Sequence, residues 1–203
     1  MNTFKLFSLL FVLLVISKSI YAQKPISGRK VKYSLELIPK AYSSKGYGAY
    51  FGLSKGSSSL FIGILGFEYP EDYNGNNQII ARTNKVSFAW DYTNPKLKGF
   101  YMGMITYFSH LRLDPVIDDS ENKSLGQASF GVRAGYRLMF GHKRRDLRYI
   151  IIKDRKIPEK GFYLNLFFAS MFNPTARDVS LGDEKYKIPD HTFLPSLHWG
   201  WKF

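Results

Sequence analysis

Arg133 and Arg137 are the side chains whose type and spacing say most about chemistry in this chain of 203 residues. They lie in a run where Phe130, Val132, Ala134, Tyr136, Leu138 and Phe140 alternate with Ser129, Gly131, Arg133, Gly135 and Arg137. Period two marks a β-strand, so both guanidiniums project from the face opposite an apolar stripe. If that face lines a narrow interior, each arginine needs an acid, because an unpaired buried charge is costly. Glu36, Glu68 and Asp91 are the acids that alternation places best to meet them. The expected site is therefore an interior ion-pair network of Arg133, Arg137, Glu36, Glu68 and Asp91. As a functional device it would be a gate or a narrow anion-preferring pore. As a structural one it fills and closes the interior, which suits a barrel just wide enough to be packed by side chains.

Ser109-His110, with Asp114, Asp118 and Asp119 nearby, raises a second chemistry: a hydrolase or acyltransferase acting on lipid A or phospholipid. Such a site needs a nucleophile, a base within hydrogen-bond reach and an orienting acid. Neighbours in a strand point to opposite faces, so Ser109 and His110 cannot share a site without a bulge. No catalytic residue is assigned, and the enzyme, tested at His110 or His191, is kept as the alternative. His110, His142, His191 and His198 show no metal-ligand spacing, so neither a metal nor a cofactor is expected.

The elements that must hold these residues are strands. Val31, Tyr33, Leu35 and Leu37 alternate with Lys32, Ser34 and Glu36, and Pro39 ends the run. Val86, Phe88, Trp90 and Tyr92 alternate with Ser87, Ala89 and Asp91. Leu197, Trp199, Trp201 and Phe203 alternate with His198, Gly200 and Lys202. In Phe162–Ala169 both faces carry aromatics and the pattern blurs. Strands are expected at roughly 31–38, 47–54, 59–69, 79–92, 99–112, 127–140, 161–172 and 192–203. Polar stretches at 70–78, 113–126 and 173–190 read as long loops, and 55–58 and 93–98 as short turns. An even strand count with long and short connections in alternation, and both termini on one side, is the pattern of a transmembrane barrel, with 141–160, a long and basic inner connection, as the exception. The expected fold is all-β: a closed antiparallel barrel, an up-and-down meander of eight strands, with ten as the variant if 147–153 pairs with a neighbour. A soluble β-sandwich is the alternative, in which the arginines face water.

At the amino-terminus, Lys5 precedes an apolar run from Leu6 to Ile16 broken only by Ser8, followed by small and polar residues. This reads as a secretory signal peptide, 1–22, cut after Ala22 or else Ser19, which leaves 23–203 as one barrel domain. Without Lys5 and Lys18 the formal charge of +13 falls to +11. A basic exported chain meets anionic lipid headgroups and lipopolysaccharide rather than nucleic acid. The absence of cysteine excludes disulfides, thiol catalysis and cysteine metal sites. No later segment has a long uninterrupted apolar run, so helical membrane spans are excluded. The segment 142–160 carries eight Lys/Arg against three acids, which suits a solvated turn or a contact with a protein partner or headgroups.

Three stretches together carry a family resemblance: the terminal Leu197-His198-Trp199-Gly200-Trp201-Lys202-Phe203, the repeated Lys98-Gly99-Phe100-Tyr101-Met102 and Lys160-Gly161-Phe162-Tyr163-Leu164, and Gly131-Val132-Arg133-Ala134-Gly135-Tyr136-Arg137. The chain resembles the small outer-membrane β-barrel proteins of Gram-negative bacteria, above all the barrel-domain families of Bacteroidetes-type genomes. The resemblance spans most of the mature chain and says little about activity. It implies residence in the outer membrane and handling by the barrel-assembly machinery. It also implies that Trp199, Trp201 and Phe203 serve as assembly signal and membrane-interface girdle. The expectation is a non-enzymatic barrel with a filled lumen and a structural, adhesive or partner- and lipopolysaccharide-binding role.

Overall fold

The computed structural model describes residues 31–69, 79–93, 97, 99–116, 122–140, 160–181 and 184–203. The expected signal peptide, 1–22, and all of the basic segment 142–160 except Lys160 lie outside the described residues.

Among the described residues ten strands and one short helix follow in chain order: β1 Lys32–Leu37, α1 Pro39–Ser43, β2 Tyr47–Lys55, β3 Ser58–Glu68, β4 Ile79–Thr93, β5 Phe100–Pro115, β6 Lys123–Met139, β7 Gly161–Phe172, β8 Asp178–Leu181, β9 Glu184–Lys187 and β10 His191–Lys202. Eight of them close into one antiparallel barrel, in the order β1-β10-β7-β6-β5-β4-β3-β2, and β8 pairs only with β9. A closed ladder is not a sandwich of two sheets. β6 pairs directly with β7, so the described wall has eight strands, and the segment 147–153 lies outside the described residues.

Parity explains the pattern of exposure. Ser34 and Glu36 on β1, Tyr50 and Ser54 on β2, Phe61 and Leu65 on β3, and Ser87, Ala89 and Asp91 on β4 are buried inside. Their immediate neighbours are large, apolar and exposed, among them Leu35, Phe51, Ile62 and Phe88. Side chains alternate sides along every strand, so one sequence register fixes both surfaces. The exposed apolar surface circles the barrel, from Leu60 and Ile64 through Phe108, Val132 and Phe168 to Leu197.

Two glycines explain the repeated Lys-Gly-Phe-Tyr motif. Gly99 and Gly161 have φ of 85° and 125°, backbone conformations that favour glycine. Each turns the chain into a strand so that the next residue, Phe100 or Phe162, faces out and the tyrosine after it is buried.

Two connections differ from expectation. The polar stretch 113–126 is shorter as a loop, because β5 runs on to Pro115 and β6 starts at Lys123. The stretch 173–190 contains the β8–β9 hairpin. The two differences share a cause. The inward residues at the far ends of the long strands, Ile79, Ala81, Leu111, Leu113 and Leu125, form a second apolar core with Val179, Leu181, Tyr186 and Ile188 of the hairpin segment. The wall continues because the hairpin covers it. This core lies at the end away from the start of β1 and the end of β10, where Ile38 and Ala41 of the α1 segment also tuck in over Gly48.

Candidate functional site

The interior splits into an apolar layer and a polar one. Tyr50, Phe61, Ile105, Phe167, Ala169 and Met171 belong to the apolar layer. The polar layer sits toward the end where β1 begins and β10 stops and is built from six of the eight barrel strands. Asp91 near the end of β4 and Arg133 on β6 face each other across β5. Arg133 donates through Nε to Asp91 Oδ1 at 2.7 Å and through Nη2 to Oδ2 at 2.9 Å, with both side chains almost fully buried. Arg137 also donates to Asp91 Oδ2, and its Nε lies 3.9 Å from Glu36 Oε1. Planar guanidiniums match carboxylates in this two-pronged way, which fixes direction as well as charge.

Glu36 on β1 is the second centre. Its Oε1 accepts from Tyr163 Oη at 2.7 Å, and its Oε2 accepts from His198 Nδ1 at 2.8 Å. Asn165 Nδ2 donates to both oxygens, at 3.2 and 3.1 Å. Tyr101 Oη in turn donates to Asn165 Oδ1 at 2.8 Å. The tyrosines of the repeated motif thus both feed this network. The Arg137 guanidinium lies 4.1 Å from the Tyr101 ring centroid and Arg133 lies 5.2 Å from that of Phe167, cation–π contacts that suit cations held away from water. Tyr50 stacks on His198 at 5.3 Å while Phe167 meets it edge-on at 4.9 Å. Two guanidiniums face two carboxylates, so the layer is balanced in charge without the imidazole.

Four of the five residues expected in the network meet here: Arg133, Arg137, Glu36 and Asp91. Glu68 does not. The β3 parity that sends Phe61 and Leu65 inward sends Glu68 outward, at the far end of the barrel, where it accepts from Lys45 at 2.9 Å and Arg82 at 3.2 Å. Sequence alone could not fix that parity, because Leu60–Phe67 is apolar on both faces apart from its glycines. The tyrosines, Asn165 and His198 were missed as members. The signal was present in part, since His198 stands on the polar side of the terminal alternation.

Ser109 and His110 occupy successive positions on β5, opposite Gln127 and Gly126, and project from opposite sides of the wall. His191, at the start of β10, packs its ring 5.1 Å from Phe172. Among the described residues no cluster of three acidic or histidine side chains is arranged to hold a metal ion. Trp199, Trp201 and Phe203 are exposed on the outer face, with Trp199 opposite Leu37 and Trp201 opposite Leu35 across the seam.

Beyond the apolar zone, away from the start of β1 and the end of β10, the outer face becomes charged. Arg82 Nη1 donates to Asp114 Oδ2 at 3.0 Å and Arg112 Nε to Asp114 Oδ1 at 2.8 Å. With Lys45 and Glu68 these form a collar one strand row above Asn84 and His110.

No protein-family model matches the chain, and no curated protein matches it. Among solved structures, the chain is similar to the N-terminal β-barrel domain of Pseudomonas aeruginosa OprF, with 12% sequence identity, over 85% of this chain and 97% of that one, and a TM-score of 0.45.

Proposed function

We propose that the chain is an integral outer-membrane β-barrel that is closed to solutes and acts through its surfaces, as a structural, adhesive or lipid- and partner-binding element. The observation that carries this reading is the apolar exterior that circles the barrel, with the buried charges of the described residues facing inward. In water such a surface would be an aggregation hazard, whereas in hydrocarbon it is the stable arrangement. On β10 the exposed face runs from Phe193 to Phe203, about 33 Å along the strand and about 25 Å high at the usual tilt, which matches the apolar band of such barrels. The lumen is crossed by Tyr50, Tyr101, Tyr163, Ile105, Asn165 and Asp91, each with under 2% of its surface exposed, which favours a plug over a pore. An export signal, handling by the barrel-assembly machinery and a Bacteroidetes-type origin belong to the same reading.

Membrane fractionation followed by unheated and heated gel migration tests it. The expected result is extraction only by detergent and a heat-dependent change of mobility, with flat single-channel traces after reconstitution. Stable dispersal in plain buffer overturns the membrane reading, and steady conductance overturns the closed lumen. A lipid-modifying enzyme is the competing reading. It requires that H110A or H191A abolish a change in lipid profile produced by the wild type.

A further inference from the structure

We infer that the outer face of β3–β6 carries a docking groove for a phosphorylated lipid of the outer leaflet, with the acyl part below and the phosphate above. The inference rests on the membrane reading. The groove has a volume of about 680 Å³ and straddles the level where the exterior changes from apolar to polar. Ile64, Val86 and Phe108 line its lower part, and Asn84 and His110 its upper part. Tyr47 closes one side, its hydroxyl donating to Asn84 Oδ1 at 3.1 Å, and Thr175 closes the other, its Oγ1 accepting from the Ala128 amide at 3.2 Å.

Its depth comes from Gly126. This residue stands opposite His110, and a Cβ built there would meet nothing within 4 Å. Among the described residues nothing fills this space, which leaves it open to a ligand. Directly above Asn84 and His110, two residues along the same strands and on the same face, stand Arg82 and Arg112. Asp114 holds both guanidiniums in the row above the groove lining, yet each arginine side chain remains half exposed. A guanidinium has five N–H donors, and these two use only some of them on carboxylates, so both can also meet phosphate oxygens. Among the described residues of this collar, Lys45, Arg82 and Arg112 outnumber Glu68 and Asp114, the sign that complements a phosphate. A purely apolar molecule would leave the collar unused, and a free ion would leave the groove empty.

The test uses the full chain refolded in detergent micelles, titrated with diphosphoryl lipid A and with the same lipid after phosphate removal, bound lipid being counted by native mass spectrometry. The wild type is expected to hold the diphosphoryl form about tenfold more tightly, as befits lost charge-assisted hydrogen bonds. R82Q/R112Q should erase that preference, and G126W should weaken both lipids by filling the groove. Inorganic phosphate should not displace the lipid. Equal affinity of the wild type for both lipids, or G126W binding like wild type, overturns the inference, as does full displacement by inorganic phosphate. Heat-dependent gel migration of all three proteins separates the two levels. Normal migration without discrimination sinks only the groove, whereas no heat-dependent migration in the wild type sinks the membrane reading beneath it.

Discussion

The Glu36 carboxylate on the first barrel strand is held by His198 of the last, Nδ1 donating to Oε2 at 2.8 Å across the seam that closes the barrel. That seam is the shortest ladder in the wall, with Ser34 to Leu37 of β1 paired to Lys202 to Trp199 of β10 and one further bond from the Phe203 amide to the Tyr33 carbonyl. Backbone pairing there is thin, so the side chains inside must secure closure. Glu36 does so by joining β1 to β10 through His198 and to β7 through Tyr163 and Asn165.

Removing this carboxylate should therefore loosen closure more than any single outward substitution on β1. E36A is expected to lose about 3–5 kcal/mol, the range for breaking a buried charged group out of its partners. Y163F, which deletes one hydrogen bond to the same oxygen, should lose about 1–2 kcal/mol. Urea unfolding in lipid vesicles, followed by tryptophan fluorescence, measures both. An E36A midpoint no lower than that of L35A would show that the clasp contributes nothing.

Asp91 and Arg133 permit a cleaner dissection, because their pair is buried and bidentate. D91A leaves two guanidiniums, those of Arg133 and Arg137, without their shared acid, so it should be the most damaging single change in the lumen. R133M keeps the volume of the chain and removes one of the two cations on Asp91. The double variant D91A/R133M should be less damaging than the sum of the singles, with a coupling of about 1–3 kcal/mol. Strict additivity in the same urea assay would mean that the two charges do not act together.

Much of this arrangement was legible in the residues themselves. The eight barrel strands lie close to their expected spans because outward apolar residues alternate cleanly wherever the inward face is polar or small, as in Phe130–Phe140 and Leu197–Phe203. Legibility failed where both faces are apolar. Phe61, Leu65 and Phe167 point inward, so β3 and β7 carried no unambiguous parity, and Glu68 was assigned to the wrong side. It failed again where strands are short. Asp178–Leu181 and Glu184–Lys187 alternate over four residues each, too few to stand out within a polar stretch. The partners of Glu36 depend on the pairing of β7 with β10, a register no single strand encodes.

The two tryptophans of β10 test which solvent the outer face meets. Trp199 and Trp201 are both about half exposed in the isolated chain. In vesicles of phosphatidylcholine brominated along the acyl chains, their emission should be strongly quenched, and aqueous iodide should have little effect. W90F leaves only these two tryptophans as reporters. Quenching by iodide and not by bromine would place this face in water and remove the reason for reading the barrel as a membrane protein. W199A and W201A should fold more slowly into vesicles if the pair also serves as an assembly signal, which the same fluorescence change records in time.

The β8–β9 hairpin offers a separate test, because its attachment depends on a core of its own. Val179, Leu181 and Tyr186 are buried against Leu111, Leu113 and Leu125, while Lys123 Nζ donates to the Ser180 carbonyl oxygen. The charged layer inside the barrel lies toward the other end and contributes nothing to this contact. V179D should bury a carboxylate among these apolar groups, so the hairpin should detach. Arg177, Lys185 and Lys187 are exposed on it and offer trypsin its cleavage sites once the backbone is free to move. The expected outcome is rapid nicking between residues 177 and 187 in V179D and slow nicking in the wild type, with the same heat-dependent migration before digestion. Equal cleavage of both proteins would show that the hairpin is not held by this core. Loss of heat-dependent migration in V179D would show instead that the outer core supports the barrel wall, and would assign the long ends of β4, β5 and β6 a part in closure as well as in seating the hairpin.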